Sequence, residues 1–566
     1  MTKALPILSL KETYQRSFIR GDILAGVTVA ALVVPKNLGY AEIAGVPIEN
    51  GLYAAAAGAI LYAIFGTSRQ ISTGPSSGLA AVAGSAVIAA GVAPVTQAAA
   101  LVAAIAIVAG LLFVLMSILR MGWISQFISK AVITGFLFGA AIDVVVGELS
   151  KITGTDADGS NAWRELWSWV SGLGDTHSTT LAVGIASLVA LFGMHALSPH
   201  LPGELIVVAA GIFFSRLFGL DQRGVALVGE VPRGLPSLAV PSWDLVSDHA
   251  GLILLAAVAI VLIGFSQSAG DARFFAAKHD YRVDIDQESL AQGVANIGSG
   301  LFQGIPVATS LSASSLNDRA GARSQFASLA TGGTIILTLI FLAPLFSDLP
   351  KAVLGAVVIE AVTLGMMDVP AMRRLYRVKR SDFWIALAAL TGVVTFGVLA
   401  GVLVGVMLSI LWLLKVVTSP SVSLLGLAKG THVFRDLEAH PDSTQLPGIV
   451  AVRLEGALFF VTADSFEDRV HTLVEEAPVD VRLVVLDFQS VNFIDSQGAA
   501  KLDRIAQFLT ERGIALRLAR VKPLVMDILI RDGIVQAIGE ESFFLDVFEA
   551  VHDASSTEIG HVPQDP

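Results

Sequence analysis

Ser72-Thr73-Gly74-Pro75-Ser76-Ser77-Gly78 and Thr309-Ser310-Leu311-Ser312-Ala313-Ser314-Ser315 are two short runs of small polar residues at similar places in the two halves of an otherwise apolar chain. Hydrocarbon offers no hydrogen-bond partner, so backbone that leaves the helical ladder inside a bilayer must be buried in protein or line a cavity. Each run ends where a helix begins. A helix N-terminus presents free N–H groups and a partial positive charge, so two half-helices whose N-termini meet near the midplane form a site for an anion. The paired breaks therefore predict a transport site.

The rest of the chain fits a polytopic membrane protein. It has 566 residues, 54% of them hydrophobic and 15% charged, with a mean hydropathy of +0.71, which is too apolar for a soluble protein and too long for one domain. The net charge of −11 is scattered over loops and the C-terminal region without a block of like charge, so it reads as solubility rather than as a face for a basic partner or nucleic acid. No cysteine is present, which excludes disulfides, thiolate nucleophiles and Cys-based metal sites. The ten histidines show no metal-ligand spacing, and no cofactor or metal is expected. Lys3, Lys11, Arg16 and Arg20 precede an apolar run far too long for a signal-peptide core, so no cleavage is expected.

Apolar segments of spanning or near-spanning length occupy about 22–44, 50–66, 75–90, 96–119, 123–146, 179–194, 203–219, 249–270, 287–303, 309–318, 325–346, 352–368, 382–399 and 400–417. The segments after the polar breaks are short, as half-helices should be. With a cytoplasmic N-terminus, fourteen crossings place Arg69, Arg120, Arg273, Lys278, Arg282, Arg319, Arg323 and the basic loop Arg373–Arg380 inside. The long loops near 147–178 and 220–248, with Asp156, Asp158, Asp175, Asp221, Glu230, Asp244 and Asp248, then fall outside, in accord with the positive-inside rule. Both termini are cytoplasmic on this count. Seven spans precede the 220–248 loop and seven follow it, and an odd-numbered repeat must be inverted relative to its copy.

Past Pro420 the character changes. From Leu446 to about Val551, short β-branched runs (Ile449–Val452, Val481–Phe488, Ile514–Leu518) alternate with amphipathic stretches (462–476, 497–511, 522–532, 543–551). This predicts a small soluble α/β domain at 446–552, joined to the membrane part (1–418) by a linker at 419–445 and followed by a flexible tail at 553–566.

Val46-Pro47-Ile48-Glu49-Asn50-Gly51-Leu52-Tyr53, followed by Gly66-Thr67-Ser68-Arg69-Gln70-Ile71-Ser72-Thr73-Gly74-Pro75, closely resembles the signature of the SulP anion permeases. Val34-Pro35 through Tyr40-Ala41 and Arg319-Ala320-Gly321-Ala322-Arg323 match as well, and the C-terminal domain resembles a STAS domain through Phe493-Ile494-Asp495-Ser496-Gln497-Gly498. The resemblance covers nearly the whole chain. It implies a homodimer in the cell membrane, in which a core (spans 1–4 and 8–11) moves as an elevator against a gate (spans 5–7 and 12–14), with the anion held between spans 3 and 10 and covered by span 1. By motif position it implies substrate contacts from Lys36, Tyr40, Ser76, Ser77, Gln267, Ser310, Ser312 and Ala313. Many members have glutamine at the position of Lys36, arginine at that of Ala313 and an acid at that of Gln267. The positive charge facing the anion thus reads as relocated from one helix to another, and the eighth-span coupling acid as lost.

Lys36 carries the sharpest expectation. A charge at mid-span costs roughly 2.5–3.5 kcal/mol on insertion scales, so it must be paired, water-facing or functional. Contact with the anion, an ion pair with Asp143 or Glu360, and snorkelling all remain open at this point. Asp143 and Glu360 themselves lie in apolar surroundings and are candidates for proton coupling. Gly298–Gly304 has a glycine-rich spacing but lies in an apolar span with no strand before it, which reads as helix packing. In the STAS-like loop, Asp495 or Ser496 would cap a helix. The residue phosphorylated in stand-alone relatives stands here as Gln497, so the loop Asp495–Gly498 reads as a structural turn that contacts a cytosolic partner or a nucleotide.

The reading is a secondary active transporter of a small anion, sulfate by family default, with bicarbonate or a dicarboxylate such as fumarate as alternatives. A neutral-substrate carrier of the same architecture fits Lys36 poorly. A membrane-anchored scaffold acting through the STAS domain needs no broken spans, and an enzyme lacks any nucleophile–base or metal constellation.

Overall fold

The computed structural model describes residues 6–9, 14–92, 95–122, 130–156, 161–198, 202–229, 231–232, 234–418 and 421–558. Lys3, Lys11, Asp158, Glu230, residues 123–129 of the fifth expected span, and the tail past 558 lie outside the described residues. The chain divides into two compact units, Met1–Ser409 and Ile410–Pro566.

Fourteen helices stand where the apolar segments predict them: α1 (Ile19–Ile43), α2 (Ile48–Phe65), α3 (Ser77–Ala90), α4 (Val95–Ile118), α5 (Lys130–Thr153), α6 (Ser178–Leu197), α7 (Gly203–Phe218), α8 (Ala250–Lys278), α9 (Ile285–Leu301), α10 (Leu311–Arg319), α11 (Phe326–Leu337), α12 (Lys351–Met366), α13 (Arg380–Phe396) and α14 (Val398–Val417). Among the described residues, eight helical stretches are long and apolar enough to cross a membrane by length and composition alone, and neither α3 nor α10 is one of them. This is a polytopic α-helical membrane fold of two inverted sets of seven helices. Helices α1–α4 and α8–α11 pack mainly on one another, while α5–α7 pack with α12 and α13.

The two polar breaks meet. Strand β1 (Thr73–Pro75) pairs antiparallel with β2 (Val307–Thr309), with Thr73 opposite Thr309, Gly74 opposite Ala308 and Pro75 opposite Val307. Three residues per strand cannot hold themselves, and side chains of α9 anchor β2. Asn296 donates through Nδ2 to the Val307 carbonyl at 2.8 Å and accepts the Val307 N–H at 2.9 Å. The Ser299 hydroxyl donates to the Ile305 carbonyl at 2.6 Å. The backbone that left the helical ladder thus finds protein partners, as an apolar medium requires. Helix α9 in turn lies tight on α4: a Cβ built on Gly300 would stand 2.5 Å from the Ala103 carbonyl oxygen, so the Gly298–Gly304 spacing serves helix packing.

The stretch Arg373–Arg380, expected as a loop, is helical over Val369–Val378, with Asp368 Oδ1 accepting the Ala371 N–H at 2.8 Å and Pro370 in the first turn. Its basic residues interrupt the apolar pattern that identified the spans, but at helical spacing they form one face of an amphipathic helix.

In the second unit, six strands run in the order β4 (Phe434–Asp436), β3 (Ser421–Leu427), β5 (Ile449–Glu455), β6 (Leu483–Asp487), β7 (Ala515–Ala519), β8 (Phe543–Phe544). Strands β5 to β8 are parallel, while β3 is antiparallel to both its neighbours. Helices α15 (Ala463–Glu475), α16 (Ser496–Glu511), α17 (Pro523–Asp532), α18 (Ile534–Ile538) and α19 (Val547–Glu558) accompany the sheet. Val484, Leu486, Phe466, Leu502 and Leu529 form its core. The expectation of a linker at 419–445 is corrected here. Residues 421–427 and 434–436 are strands, with Leu425 and Phe434 buried, because a β-hairpin can be held by the neighbouring strand even where its own residues alternate poorly. The expected tail is likewise helical to Glu558.

Candidate functional site

Each break becomes a helix start through its own serine. Ser76 caps α3, its hydroxyl facing the Leu79 N–H at 3.5 Å, and Ser310 caps α10, facing the Ala313 N–H at 3.4 Å. The breaks are also tied to each other: the Ser72 N–H donates to Ser314 Oγ at 2.9 Å, and the Ser310 N–H to the Ser72 carbonyl at 3.1 Å. Two helix N-termini, each carrying roughly half a positive charge, therefore open side by side.

They open on a cavity of about 610 Å³. Lys36, Tyr40, Ser76, Ser77, Gln267, Ser310, Ser312 and Ala313, the eight residues expected from motif position, all line it. Lys36 and Tyr40 reach it from α1, one helical turn apart, and the Tyr40 hydroxyl meets Ser77. Ser310 and Ser312 face each other at 3.2 Å. Gln267 Oε1 is buried with no hydrogen-bond partner among the described residues. The cavity thus offers hydroxyls, a carboxamide, an ammonium group and helix N-termini, which suit a small oxyanion.

Two acids that the sequence reading passed over complete this picture. Glu204, in the first turn of α7, places Oε1 at 3.0 Å from Lys36 Nζ, with only 7% of its side chain exposed against 21% for the lysine. The ion pair of Lys36 is therefore with Glu204, not with Asp143 or Glu360. Asp271 lines the cavity and accepts the Thr309 hydroxyl at 2.8 Å. Position 267 itself carries no acid, but the eighth span keeps one on the cavity, since Asp271 stands four residues after Gln267 on the same face of α8. A residue-by-residue carry-over stops at Gln267, whereas helical periodicity finds the acid one turn on.

Asp143 and Glu360 do not line the cavity. The side chain of Glu360, on α12, is 5% exposed, with Oε1 at 4.0 Å from His195 Nδ1 and Oε2 with no hydrogen-bond partner among the described residues. It lies close enough to Lys36 and Glu204 for all three to interact. Asp143 is half-buried on α5.

In the second unit, Asp495 caps α16. Its Oδ1 accepts the Gly498 N–H at 2.7 Å and its Oδ2 the Phe460 N–H at 3.1 Å. Ser496, the other candidate cap, is the first residue of the helix, and it and Gln497 are exposed. Gly498 is required by close approach, since a Cβ there would meet the Leu458 carbonyl oxygen at 2.3 Å.

The profile of the sulfate permease family matches residues 19–389, and that of the STAS domain residues 440–554. The chain belongs to the sulfate permease family. A Mycobacterium tuberculosis protein named "Probable sulfate transporter" is 35% identical over 538 residues, which cover 95% of this chain and 96% of the relative. Sulfate transporter 4.1, chloroplastic, of Arabidopsis thaliana is 31% identical over 562 residues, 95% of this chain and 81% of the relative. Among solved structures, the murine solute carrier 26 family member A9 anion transporter in the inward-facing state matches with a TM-score of 0.88 and 21% identity, covering 98% of this chain and 94% of that one. The transmembrane domain of the cyanobacterial bicarbonate transporter BicA matches with a TM-score of 0.59 and 20% identity, covering 70% of this chain and 98% of that one. These two likenesses carry the fold. Family membership makes the permease a multi-pass membrane anion transporter with a C-terminal STAS domain.

Proposed function

We propose that the permease carries sulfate across the cell membrane as a secondary active transporter, by alternating access. The observation that supports this most is the convergence of the α3 and α10 N-termini with Lys36 on one cavity. Lys36, Tyr40, Ser76, Ser77, Gln267, Ser310, Ser312 and the backbone at Ala313 hold the anion. The helix group α1–α4 with α8–α11 moves as an elevator against the group formed by the remaining membrane helices, which alternately exposes the site to each side. Sulfate is the substrate that the names of the relatives at 30% identity and above favour. Asp143 and Glu360 are the proposed proton-coupling acids. Both termini are cytoplasmic, and the STAS domain supports a homodimer or receives a cytosolic partner.

The test is uptake of labelled sulfate, bicarbonate and fumarate into proteoliposomes containing the full chain, with and without ion gradients. Sulfate should enter and accumulate under at least one gradient. Entry of bicarbonate or fumarate alone would replace the substrate, and entry of none would end the transport reading for these anions. Orientation is testable on the same protein. With no native cysteine, an impermeant thiol reagent applied to intact cells should label Asp175→Cys and spare Arg377→Cys, and the reverse pattern would invert the topology.

A further inference from the structure

The cavity's lysine is already engaged. Lys36 Nζ lies 3.0 Å from Glu204 Oε1, and Glu204 is not among the residues that line the cavity. The lysine therefore faces an incoming anion on one side while holding a buried carboxylate on the other. Glu360 adds a second carboxylate within interaction range, and among the described residues Tyr40 and His195 are further titratable groups facing these charges. Asp271 contributes a further negative charge to the cavity wall, and Arg319 is the other basic residue lining it. A site built to receive anions has thus placed an anion of its own against Lys36.

An ammonium group has one charge to share. A carboxylate in direct contact weakens what the lysine offers a second anion, so the affinity of the site is set by a difference between two pairings. Were Glu204 only a structural brace, its removal would loosen Lys36 and weaken anion binding. As a competitor, its removal would free Lys36 and strengthen binding. Position favours the second role. The pair joins α1 to α7, helices on opposite sides of the boundary between the two helix groups, so exchange of Glu204 for a bound anion would also cut a tie between groups that transport must separate.

We propose that Glu204 is the internal counter-anion of Lys36, displaced when the transported anion binds and re-engaged when it leaves. This rests on the transport reading given above and adds a residue to it. Re-engagement explains how a half-buried lysine could release its anion instead of trapping it.

The experiment measures radiolabelled sulfate binding to the full-length protein in detergent. Glu204→Gln should bind sulfate about tenfold more tightly than the parent, a gain equivalent to about 1.4 kcal/mol. Glu204→Asp, which keeps the charge but draws it back by one methylene, should give a smaller gain, and it serves where the glutamine variant does not fold. In a Lys36→Met background the glutamine substitution should give no gain, because the competition has lost its object. Unchanged or weaker binding by both Glu204 variants, or an equal gain without Lys36, would overturn the proposal while leaving sulfate transport intact. Failure of parent and variants alike to bind sulfate would fell the sulfate reading and this proposal with it.

Discussion

At Lys36 the chain answers a question that its sequence leaves open. The sequence shows that a mid-span lysine needs a partner, water or a function, but the identity of the partner is a tertiary fact. Glu204 follows Pro202 and Gly203 at the start of an apolar run, where an acid reads as an ordinary first-turn residue of a helix, and only the packing of α7 against α1 brings it to the lysine. Asp271 escaped for a different reason, since its neighbour Gln267 occupied the position at which the family pattern places an acid. The Glu204 contact also alters what Lys36→Met should do. Deleting the ammonium group strands a buried carboxylate, a change that typically costs about 3–5 kcal/mol. Lys36→Met is therefore expected to lower the melting temperature of the detergent-solubilised protein as well as its sulfate affinity. The double variant Lys36→Met with Glu204→Gln should recover the melting temperature but not the affinity. Recovery of neither would show that Lys36 supports the fold by other contacts, and no loss in the single variant would show that the ion pair contributes little.

At the level of elements, the half-helices were the most legible part of the molecule. Small polar residues in an apolar chain have few uses, and Ser76 and Ser310 announce helix starts through the capping chemistry that they perform in the structure. The short strands at the breaks were not legible, since three residues carry no periodicity. Nor was the cross-link from α9, because Asn296 and Ser299 reveal nothing of their partners until β2 is in place. This arrangement makes the site depend on a helix contact well removed from the anion. A methyl group at Gly300 would meet the Ala103 carbonyl oxygen at 2.5 Å and Ile107 Cγ1 at 2.6 Å. Backbone cannot yield there without moving α9, and overpacking of this kind costs about 1–3 kcal/mol. Gly300→Ala is expected to lower the melting temperature and, by shifting Asn296 and Ser299 against β2, to weaken sulfate binding, although no atom of residue 300 lines the cavity. A variant as stable as the parent, measured by thermal unfolding in detergent, would mean that α4 and α9 can separate at no cost.

At the scale of the whole molecule, the division into a membrane unit and a soluble α/β unit was legible from composition, but the place of the division was not. Residues 421–445 contain Ser, Gly, His and Asp without regular alternation and so read as a linker, yet β3 occupies the sheet between β4 and β5. Its register pairs Ser421 with Glu455 and Leu425 with Ala451, and Leu425 and Phe434 are 2% and 6% exposed. A soluble fragment cut at 446 would lose this hairpin. The loss removes the buried side chains of Leu425 and Phe434, each worth about 1.5–3 kcal/mol when fully buried. It also uncovers the edge of β5, leaving unpaired N–H and C=O groups that invite association with another chain. A fragment of residues 421–558 is therefore expected to be monomeric or discretely dimeric and to unfold cooperatively in urea. The 446–552 fragment should unfold at a lower urea concentration, and should aggregate as its concentration rises. Sedimentation and urea titration of the two fragments decide the point. Equal midpoints and equal solubility would mean that β3 and β4 add nothing to the domain, and would restore the boundary near 446 that the sequence suggests.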